Sequence, residues 1–186
     1  MSSKVFETQL YIKNYQSNVI QQLIAFGVSG VNIKVIDNWQ YDNETQIERL
    51  NEIEEEINNG KIVVIEGEYK KLDCGCFVSK ITANCYEFDI WISAKISGDL
   101  KDECVSKNNS HIYDRVIDFL KKWIDPHELI LCVSGIEMYV EYSNDLNEVL
   151  DNSSGILQMI CSRNTVMPNN LSFNVIQDGE YVIIRP

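Results

Sequence analysis

The sequence contains no hydrophobic run long enough to cross a membrane. A transmembrane helix needs about 20 consecutive apolar residues, whereas the apolar run at residues 62–65 already ends at Glu66. Residues 1–15 also lack the apolar core of a signal peptide, because polar side chains such as Glu7, Gln9 and Lys13 interrupt the apolar pairs. We therefore expect a cytoplasmic protein with no membrane partner.

The motifs of the common cofactor and hydrolase families are absent as well. The chain has no glycine-rich dinucleotide fingerprint, no phosphate-binding loop, no nucleophile elbow and no paired-histidine zinc motif. It has two histidines, and His111 stands in the first turn of a predicted helix, where a histidine can act as a base. Because no nucleophile motif accompanies His111, we predict no catalytic residue and no cofactor.

Basic residues are scarce. The chain has 28 Asp and Glu residues against 16 Lys and Arg residues, which gives a formal net charge of -12. Nucleic acids and anionic lipids are bound by concentrated Lys and Arg, so this charge argues against either partner. A basic protein would be attracted instead. The alternative is that the net charge simply keeps the protein soluble.

The six cysteines do not form a complete metal-binding or disulfide pattern. Cys74, Cys76 and Cys85 resemble part of a zinc site, but a second closely spaced pair is lacking. A domain of this length folds without disulfides, and no export signal is present. We expect reduced thiols and no bound metal, with Cys132 packed as a small apolar side chain.

The apolar pattern predicts a single α+β domain over residues 1–186, with a largely antiparallel sheet and three to four helices packed on it. Predicted strands cover residues 5–12, 31–35, 61–69, 76–82, 86–93, 129–133 and 136–142, and those at 61–93 are close enough to form a meander. Predicted helices cover residues 17–26 and 44–59, begin at Ser110, and occupy residues 145–150. A turn at Asp178 and Gly179 predicts a C-terminal hairpin. Its expected pairs are Gln177 with Glu180, Val175 with Val182 and Phe173 with Ile184.

Two of the predicted strands carry acidic and aromatic side chains on the face opposite their apolar residues. Aromatic residues are favoured in protein interfaces, and a fixed negative charge steers a positive partner. The alternative is an ordinary sheet face that shows polar residues to water. The candidate partner-binding residues of these strands are Glu87, Asp89, Trp91, Glu137, Tyr139 and Glu141.

The predicted helix at residues 44–59 adds an acidic row. Glu48, Glu52 and Glu56 are four residues apart, and each like-charge pair at this spacing destabilises a helix by about 0.2–0.5 kcal/mol. A sequence selected for helix stability alone would place Lys at one of these positions. We therefore add these three residues and Glu55 to the candidate partner-binding set, although charge runs are often just solvated faces.

These features lead to a functional hypothesis. The leading interpretation is a non-enzymatic acidic binding protein that holds a basic protein, of the kind represented by immunity proteins and antitoxins that neutralise a cationic toxin. The alternative is a small divalent-metal-dependent hydrolase or transferase that uses clustered carboxylates such as Glu87 and Asp89. A third reading is a subunit of a larger assembly. The sequence does not indicate an oligomeric state.

Overall fold

The computed structural model describes residues 5–25, 28–47, 49–93, 104–167 and 174–185. Over these ranges the chain forms ten β-strands and four α-helices, and the strand pairs described below are antiparallel. The expectation of a mostly antiparallel protein with few helices is therefore confirmed. Contacts divide the chain into two compact units, which we name the N-terminal unit (Gln9–Ser93) and the C-terminal unit (Met1–Thr8 with Ala94–Pro186). The single domain over residues 1–186 stays a prediction.

The N-terminal unit is built on a sheet with the strand order β3-β2-β4-β5-β6-β1. Strand β1 contributes its last four residues to this unit. The predicted meander is present, because β4 pairs with β5 and β5 pairs with β6 through short turns. The strands are β1 Val5–Ile12, β2 Ser29–Ile36, β3 Thr45–Gln46, β4 Ile62–Tyr69, β5 Leu72–Thr82 and β6 Cys85–Ser93.

One face of this sheet carries a row of buried core residues. Val63, Val78 and Phe88 are paired across β4, β5 and β6, and each is fully buried. Helix α2 (Ile53–Asn58) packs on β4 and β5 and buries Ile53 and Ile57. Helix α1 (Ser17–Ala25) lies between β1 and β2 in the chain, as its helical spacing predicted.

The prediction of a helix over residues 44–59 is wrong for most of that range. Thr45 and Gln46 form strand β3 against β2, and a 3₁₀ turn at Leu50–Glu52 precedes the short helix α2. Helical spacing alone did not reveal that the start of this segment satisfies its backbone by pairing with β2. Glu52 ends the 3₁₀ turn and is the N-cap residue of α2, Glu56 lies within α2, and Glu48 lies outside the described residues.

The C-terminal unit has the strand order β1-β7-β8-β10-β9, with β1 contributing its first four residues. Helices α3 (Ser110–Trp123) and α4 (Leu146–Asn152) lie at the predicted places in the chain. Asp145 caps α4 by accepting a hydrogen bond from the backbone N–H of Asn147 over 2.9 Å. The remaining strands are β7 Leu129–Tyr139, β8 Ser154–Ser162, β9 Asn174–Asp178 and β10 Tyr181–Arg185.

Strand β7 corrects a second prediction. Residues 129–133 and 136–142 were expected to be two neighbouring strands, but a single strand runs from Leu129 to Tyr139, and its neighbour is β8, which the sequence did not predict. The pairing of β7 with β8 shifts register around Gly135, and Glu137 adopts a left-handed φ of 49°. The strand is therefore bent rather than ended by Ser134 and Gly135.

The C-terminal hairpin is present, with a shifted register. Val175 pairs with Ile184 and Gln177 pairs with Val182, so the two-residue turn is Gly179 and Glu180 instead of the expected Asp178 and Gly179. Gly179 has a φ of 64°, and glycine at the first central position is typical of a type II′ turn. The shift of two leaves each side chain on its expected face. Phe173 lies outside the described residues.

Two side chains of β10 connect the C-terminal hairpin to the rest of its unit. The Tyr181 hydroxyl lies 3.3 and 2.8 Å from the backbone carbonyl oxygens of Leu120 and Ile124, and its one proton serves either acceptor at the end of α3. The Arg185 guanidinium donates to buried Gln158 and to the Asp114 carboxylate. Within the described residues, no helix is long and apolar enough to cross a membrane.

Replacing Gly135 by alanine is expected to lower the free energy of unfolding of the C-terminal unit by about 1–3 kcal/mol or more. A Cβ atom at this position would lie 1.9 Å from the carbonyl oxygen of Gly155, so the backbone must move. Urea unfolding measures the loss. Ser134→Ala serves as the comparison, because it removes the 3.1 Å contact with Thr8 and should cost only about 1 kcal/mol. Equal midpoints for the two variants would contradict the proposed close contact.

Candidate functional site

The second face of the N-terminal sheet carries polar and aromatic side chains on β5 and β6, beside a buried apolar cluster of Ile36, Ile62 and Val64 against which Phe77 packs. Residues directly opposite each other in antiparallel strands project to the same side. Glu87 faces Ser79, Asp89 faces Phe77, and Trp91 faces Gly75. The prediction that Glu87, Asp89 and Trp91 share a face opposite Phe88 is therefore confirmed. We call this side of the sheet the carboxylate face.

Glu87 is the centre of a hydrogen-bond network on the carboxylate face. Its Oε1 accepts from the Tyr11 hydroxyl over 2.9 Å, and its Oε2 accepts from the Ser79 hydroxyl over 3.1 Å. The Tyr11 hydroxyl also lies 2.9 Å from Oε1 of Gln9. A phenol has one proton, so it serves Gln9 or Glu87 at any moment. When Glu87 is protonated, it can donate to Tyr11 while Tyr11 donates to Gln9.

The surroundings of Glu87 favour the protonated form. Burial raises the pKa of Glu87, and the hydrogen bonds from Tyr11 and Ser79 act in the opposite direction without cancelling that rise. Burial also raises the pKa of Tyr11, with the negative charge of Glu87 adding to it, so Tyr11 remains a neutral donor. Glu87 is thus a half-buried structural carboxyl and not the fully solvated charge that strand alternation indicated.

Trp91 lies across Gly75 at the other end of the same strand pair. A Cβ atom on Gly75 would come within 2.7 Å of the Trp91 ring, so only glycine leaves room for the ring in this position. The indole Nε1 is buried and has no hydrogen-bond partner among the described residues. Trp91 therefore covers the sheet as a half-buried side chain.

A loop at residues 37–44 follows β2 and holds its shape through internal hydrogen bonds. The backbone N–H of Asp37 donates to the Asp42 carbonyl over 3.1 Å, and the Asn43 amide donates to the Asp37 carboxylate over 2.7 Å. Asn38 accepts from the backbone of Gln40 and donates to the Asp42 carboxylate. These contacts within the loop hold its backbone in shape. We call it the aromatic loop, because it carries Trp39 and Tyr41.

Trp39 and Tyr41 are among the most exposed large apolar side chains that the structure describes. Trp39 is 52% exposed although its ring packs against Phe77, with the ring centroids 5.4 Å apart. Tyr41 is 42% exposed and lies over the ammonium group of Lys34 at 5.4 Å. Tyr41 also has a φ of 62°, which is strained for a residue with a large side chain. The loop therefore holds two aromatic rings at the surface at some conformational cost.

The charge around the aromatic loop is negative. Lys34 forms ion pairs with Glu44 at 3.4 Å and Glu66 at 3.1 Å, and its side chain is only 12% exposed. Asp37 and Asp42 are exposed on the loop itself. Two carboxylates thus flank the largely covered ammonium group of Lys34, and two more are exposed on the loop. Burial lowers the pKa of Lys34, but the two carboxylates outweigh that effect and raise it, so Lys34 stays charged.

The remaining acidic candidates lie elsewhere. Glu55 is exposed on α2, Glu52 and Glu56 are half-buried, and Glu56 forms a 3.1 Å ion pair with Lys61. Glu137, Tyr139 and Glu141 belong to the C-terminal unit and are exposed. Glu137 has a left-handed φ and Glu141 follows the end of β7, so these residues do not lie on one regular strand, and their common face stays a prediction.

The structure gives no support to a metal site in the parts of the chain that it describes, where no group of three or more His, Cys, Asp or Glu side chains is arranged to hold an ion. Both oxygens of Glu87 accept hydrogen bonds, and the metal-dependent hydrolase or transferase stays an alternative prediction. Cys74, Cys76 and Cys85 are buried, and burial raises the pKa of the Cys76 thiol. Cys132 is also buried, in agreement with its predicted packing role.

The sequence interpretation missed the aromatic loop. The only sign of this loop in the sequence is a tryptophan and a tyrosine within the polar stretch at residues 37–44. This stretch has no apolar periodicity, so the pattern of apolar residues does not reveal the loop. No family model, no curated protein and no solved structure matches this chain. Its function is therefore argued from its own geometry.

The pH dependence of stability tests the Glu87 network. Below the ordinary carboxyl pKa of 4.5, Glu87 is protonated in both the folded and the unfolded chain. As the pH rises through the raised folded pKa, the wild type must ionise a half-buried group and loses stability. The Glu87→Gln variant keeps an acceptor for Tyr11 and carries no charge, so it should be the more stable protein at pH 8. The two proteins should converge at pH 4.

Urea unfolding at several pH values between 4 and 9 measures this difference. Glu55→Gln is the matched control, because Glu55 is exposed and its replacement should change stability by less than about 0.5 kcal/mol at any pH. A Glu87→Gln variant that is less stable than the wild type at pH 8 would show that Glu87 is folded as a favourable, ionised group.

Proposed function

We propose that this chain is a non-enzymatic binding protein that holds a basic protein partner through the aromatic loop. The observation that carries the proposal is the exposure of Trp39 and Tyr41 among the carboxylates of Asp37, Asp42 and Glu44. Trp and Tyr are enriched among the residues that dominate binding energy in protein interfaces. A surface that joins such rings to negative charge is suited to Lys and Arg side chains, which bind both.

The ordered shape of the aromatic loop strengthens this proposal. A flexible loop would lose conformational entropy when a partner binds, and this loss weakens affinity. The hydrogen bonds of Asp37, Asn38 and Asn43 hold the loop in one form before any partner arrives. Strain at Tyr41 fits the same reading, because strained residues are often retained where they serve binding.

The net charge of -12 supports a basic partner in a second way. Long-range attraction raises the rate at which oppositely charged proteins meet, and salt screens it. A biological role that uses this physics is that of an immunity or antitoxin-like protein, which captures a cationic toxin such as a nuclease. The cytoplasmic location expected from the sequence is part of this proposal. Nucleic acid and membranes are not proposed as partners.

The acidic candidates from the sequence remain predicted contacts of the same partner. They differ in their exposure to a partner: Glu87 is half-buried and accepts a hydrogen bond from Tyr11, whereas Glu55 is exposed on α2. The aromatic loop is the first surface to test. The other predicted contacts are Glu48, Glu52, Glu56, Asp89, Trp91, Glu137, Tyr139 and Glu141.

Replacing Trp39 by alanine is expected to weaken the partner complex at least about 30-fold, the effect of losing an interface hot spot. The partner is first identified by affinity purification of the full chain from its source cells, and binding is then measured with the purified pair by surface plasmon resonance. Ile81→Ala is the matched control, because Ile81 is 41% exposed in the same unit and lies outside the loop.

The wild-type association rate should also fall as salt rises from 50 to 500 mM. Three results would overturn the proposal: partners without a basic surface, an Ile81→Ala variant as weak as Trp39→Ala, or no loss from Trp39→Ala. If Trp39→Ala causes no loss and binding still depends on salt, the contact lies on another acidic surface and not on the aromatic loop.

Replacing Tyr41 by glycine separates binding from folding. Glycine adopts a positive φ without strain, which offsets the loss of the ring over Lys34, so stability should stay within about 1 kcal/mol of the wild type. Affinity should fall at least about tenfold. Thermal unfolding and surface plasmon resonance give the two values. A large loss of stability with unchanged affinity would make Tyr41 a structural residue.

A further inference from the structure

Strand β9 is the outermost strand of the C-terminal unit. It pairs with β10 on one side, and among the described residues no strand pairs with its other side. Val175 is 47% exposed and Ile176 is 45% exposed. Consecutive residues of a strand point to opposite faces, so β9 is open on both faces as well as along its edge.

Natural edge strands usually carry a device that blocks pairing with another chain, such as a lysine, a proline, a bulge or a very short length. At the end of the N-terminal sheet, β3 is only two residues long. Strand β9 has five residues, with no lysine and no proline, and its register with β10 is regular. Its one charge, on Asp178, is paired with Lys121. Among the described residues, nothing therefore blocks the edge of β9 from pairing with a second strand.

The hairpin geometry shows which backbone groups are available. The turn has two residues, so the closing pair of Asp178 and Tyr181 carries the first hydrogen bonds of the hairpin. Hydrogen-bonded and non-hydrogen-bonded pairs alternate along an antiparallel ladder. Val175 and Gln177 are therefore the residues whose N–H and C=O groups point away from β10.

We infer that β9 pairs with β9 of a second copy of this chain, in an antiparallel two-fold dimer centred on Ile176. In this register Val175 of each copy faces Gln177 of the other, and the outward groups of both residues form four backbone hydrogen bonds. Such a contact is self-complementary, as a closed two-fold interface requires. Two Ile176 side chains meet on the axis and become covered.

The charges of the strand suit this pairing. Asn174 of each copy faces Asp178 of the other, so an amide meets a carboxylate and no like charges are opposed. A basic strand from another protein would also suit Asp178. Such a complex would not use the symmetry about Ile176. An added negative charge at Asn174 would strengthen it and an added positive charge would weaken it, which is the opposite of the effect on the dimer.

Sedimentation velocity of the full chain between 1 and 200 μM tests the dimer, which should form reversibly within this range. Gln177→Pro removes an outward N–H without removing a bond to β10, and proline is tolerated at such edge positions. It should raise the dimer dissociation constant at least about tenfold, while Gln177→Ala should leave it within about twofold. Circular dichroism and thermal unfolding confirm that both variants stay folded.

Charge variants at Asn174 identify the occupant. Asn174→Asp places two pairs of carboxylates opposite each other and should weaken the dimer about threefold to tenfold, while Asn174→Lys should strengthen it by a similar factor. Because Asn174 also faces Arg185 within the hairpin, thermal unfolding of each variant is measured alongside.

A wild type that remains monomeric at 200 μM would overturn the inference. A dimer that ignores both Gln177→Pro and the Asn174 variants would place the interface elsewhere and overturn it too. If the wild type instead binds a basic partner, and Asn174→Asp tightens that complex while Asn174→Lys loosens it, β9 serves a different chain. This inference does not depend on the proposed function. The dimer is tested with variants of β9, whereas the proposed partner complex is tested with variants of the aromatic loop, so either can fail alone.

Discussion

Antiparallel pairing of β4, β5 and β6 determines which side chains of the N-terminal unit are buried and which remain near the surface. Val63, Val78 and Phe88 meet across these strands and close the core on one side. Since side chains alternate along a strand, Ser79 and Glu87 are carried to the other side by the same register. A slip of one residue would exchange the two sides and move the carboxylates into the layer that Val63, Val78 and Phe88 now fill.

The carboxylate face is consequently a compromise between burial and charge. Glu87 is brought close to Tyr11 and Ser79, whose hydroxyls compensate for part of the hydration that the carboxylate loses. This arrangement makes Glu87 a structural group with an altered pKa. Surface charge is left to the exposed acids, and around the aromatic loop these acids lie beside rings that an interface can use. Within this unit, the half-buried carboxylate of Glu87 affects folding stability, whereas the exposed carboxylates stay in contact with water.

Sequence patterns were most informative where local chemistry and tertiary contacts agree. Strand β1 has the predicted bounds, and the alternation in β6 placed Glu87 and Asp89 on the correct face. The C-terminal hairpin kept the predicted faces although its turn moved, because a shift of two preserves the alternation. Patterns were misleading at residues 44–59, where pairing with β2 replaced a helix that the apolar spacing favoured.

The sequence by itself determined the net charge, most of the strands and the apolar face of the meander, because each of these depends on residue type and a short local period. Tertiary structure decided the burial of Glu87, the bend of β7 at Gly135 and the exposure of Trp39 and Tyr41. Each of these depends on a neighbour distant in the chain, such as Tyr11, Gly155 or Phe77. Local periodicity contains no information about which distant residues will meet, and so the candidate site emerged only when the strands were paired.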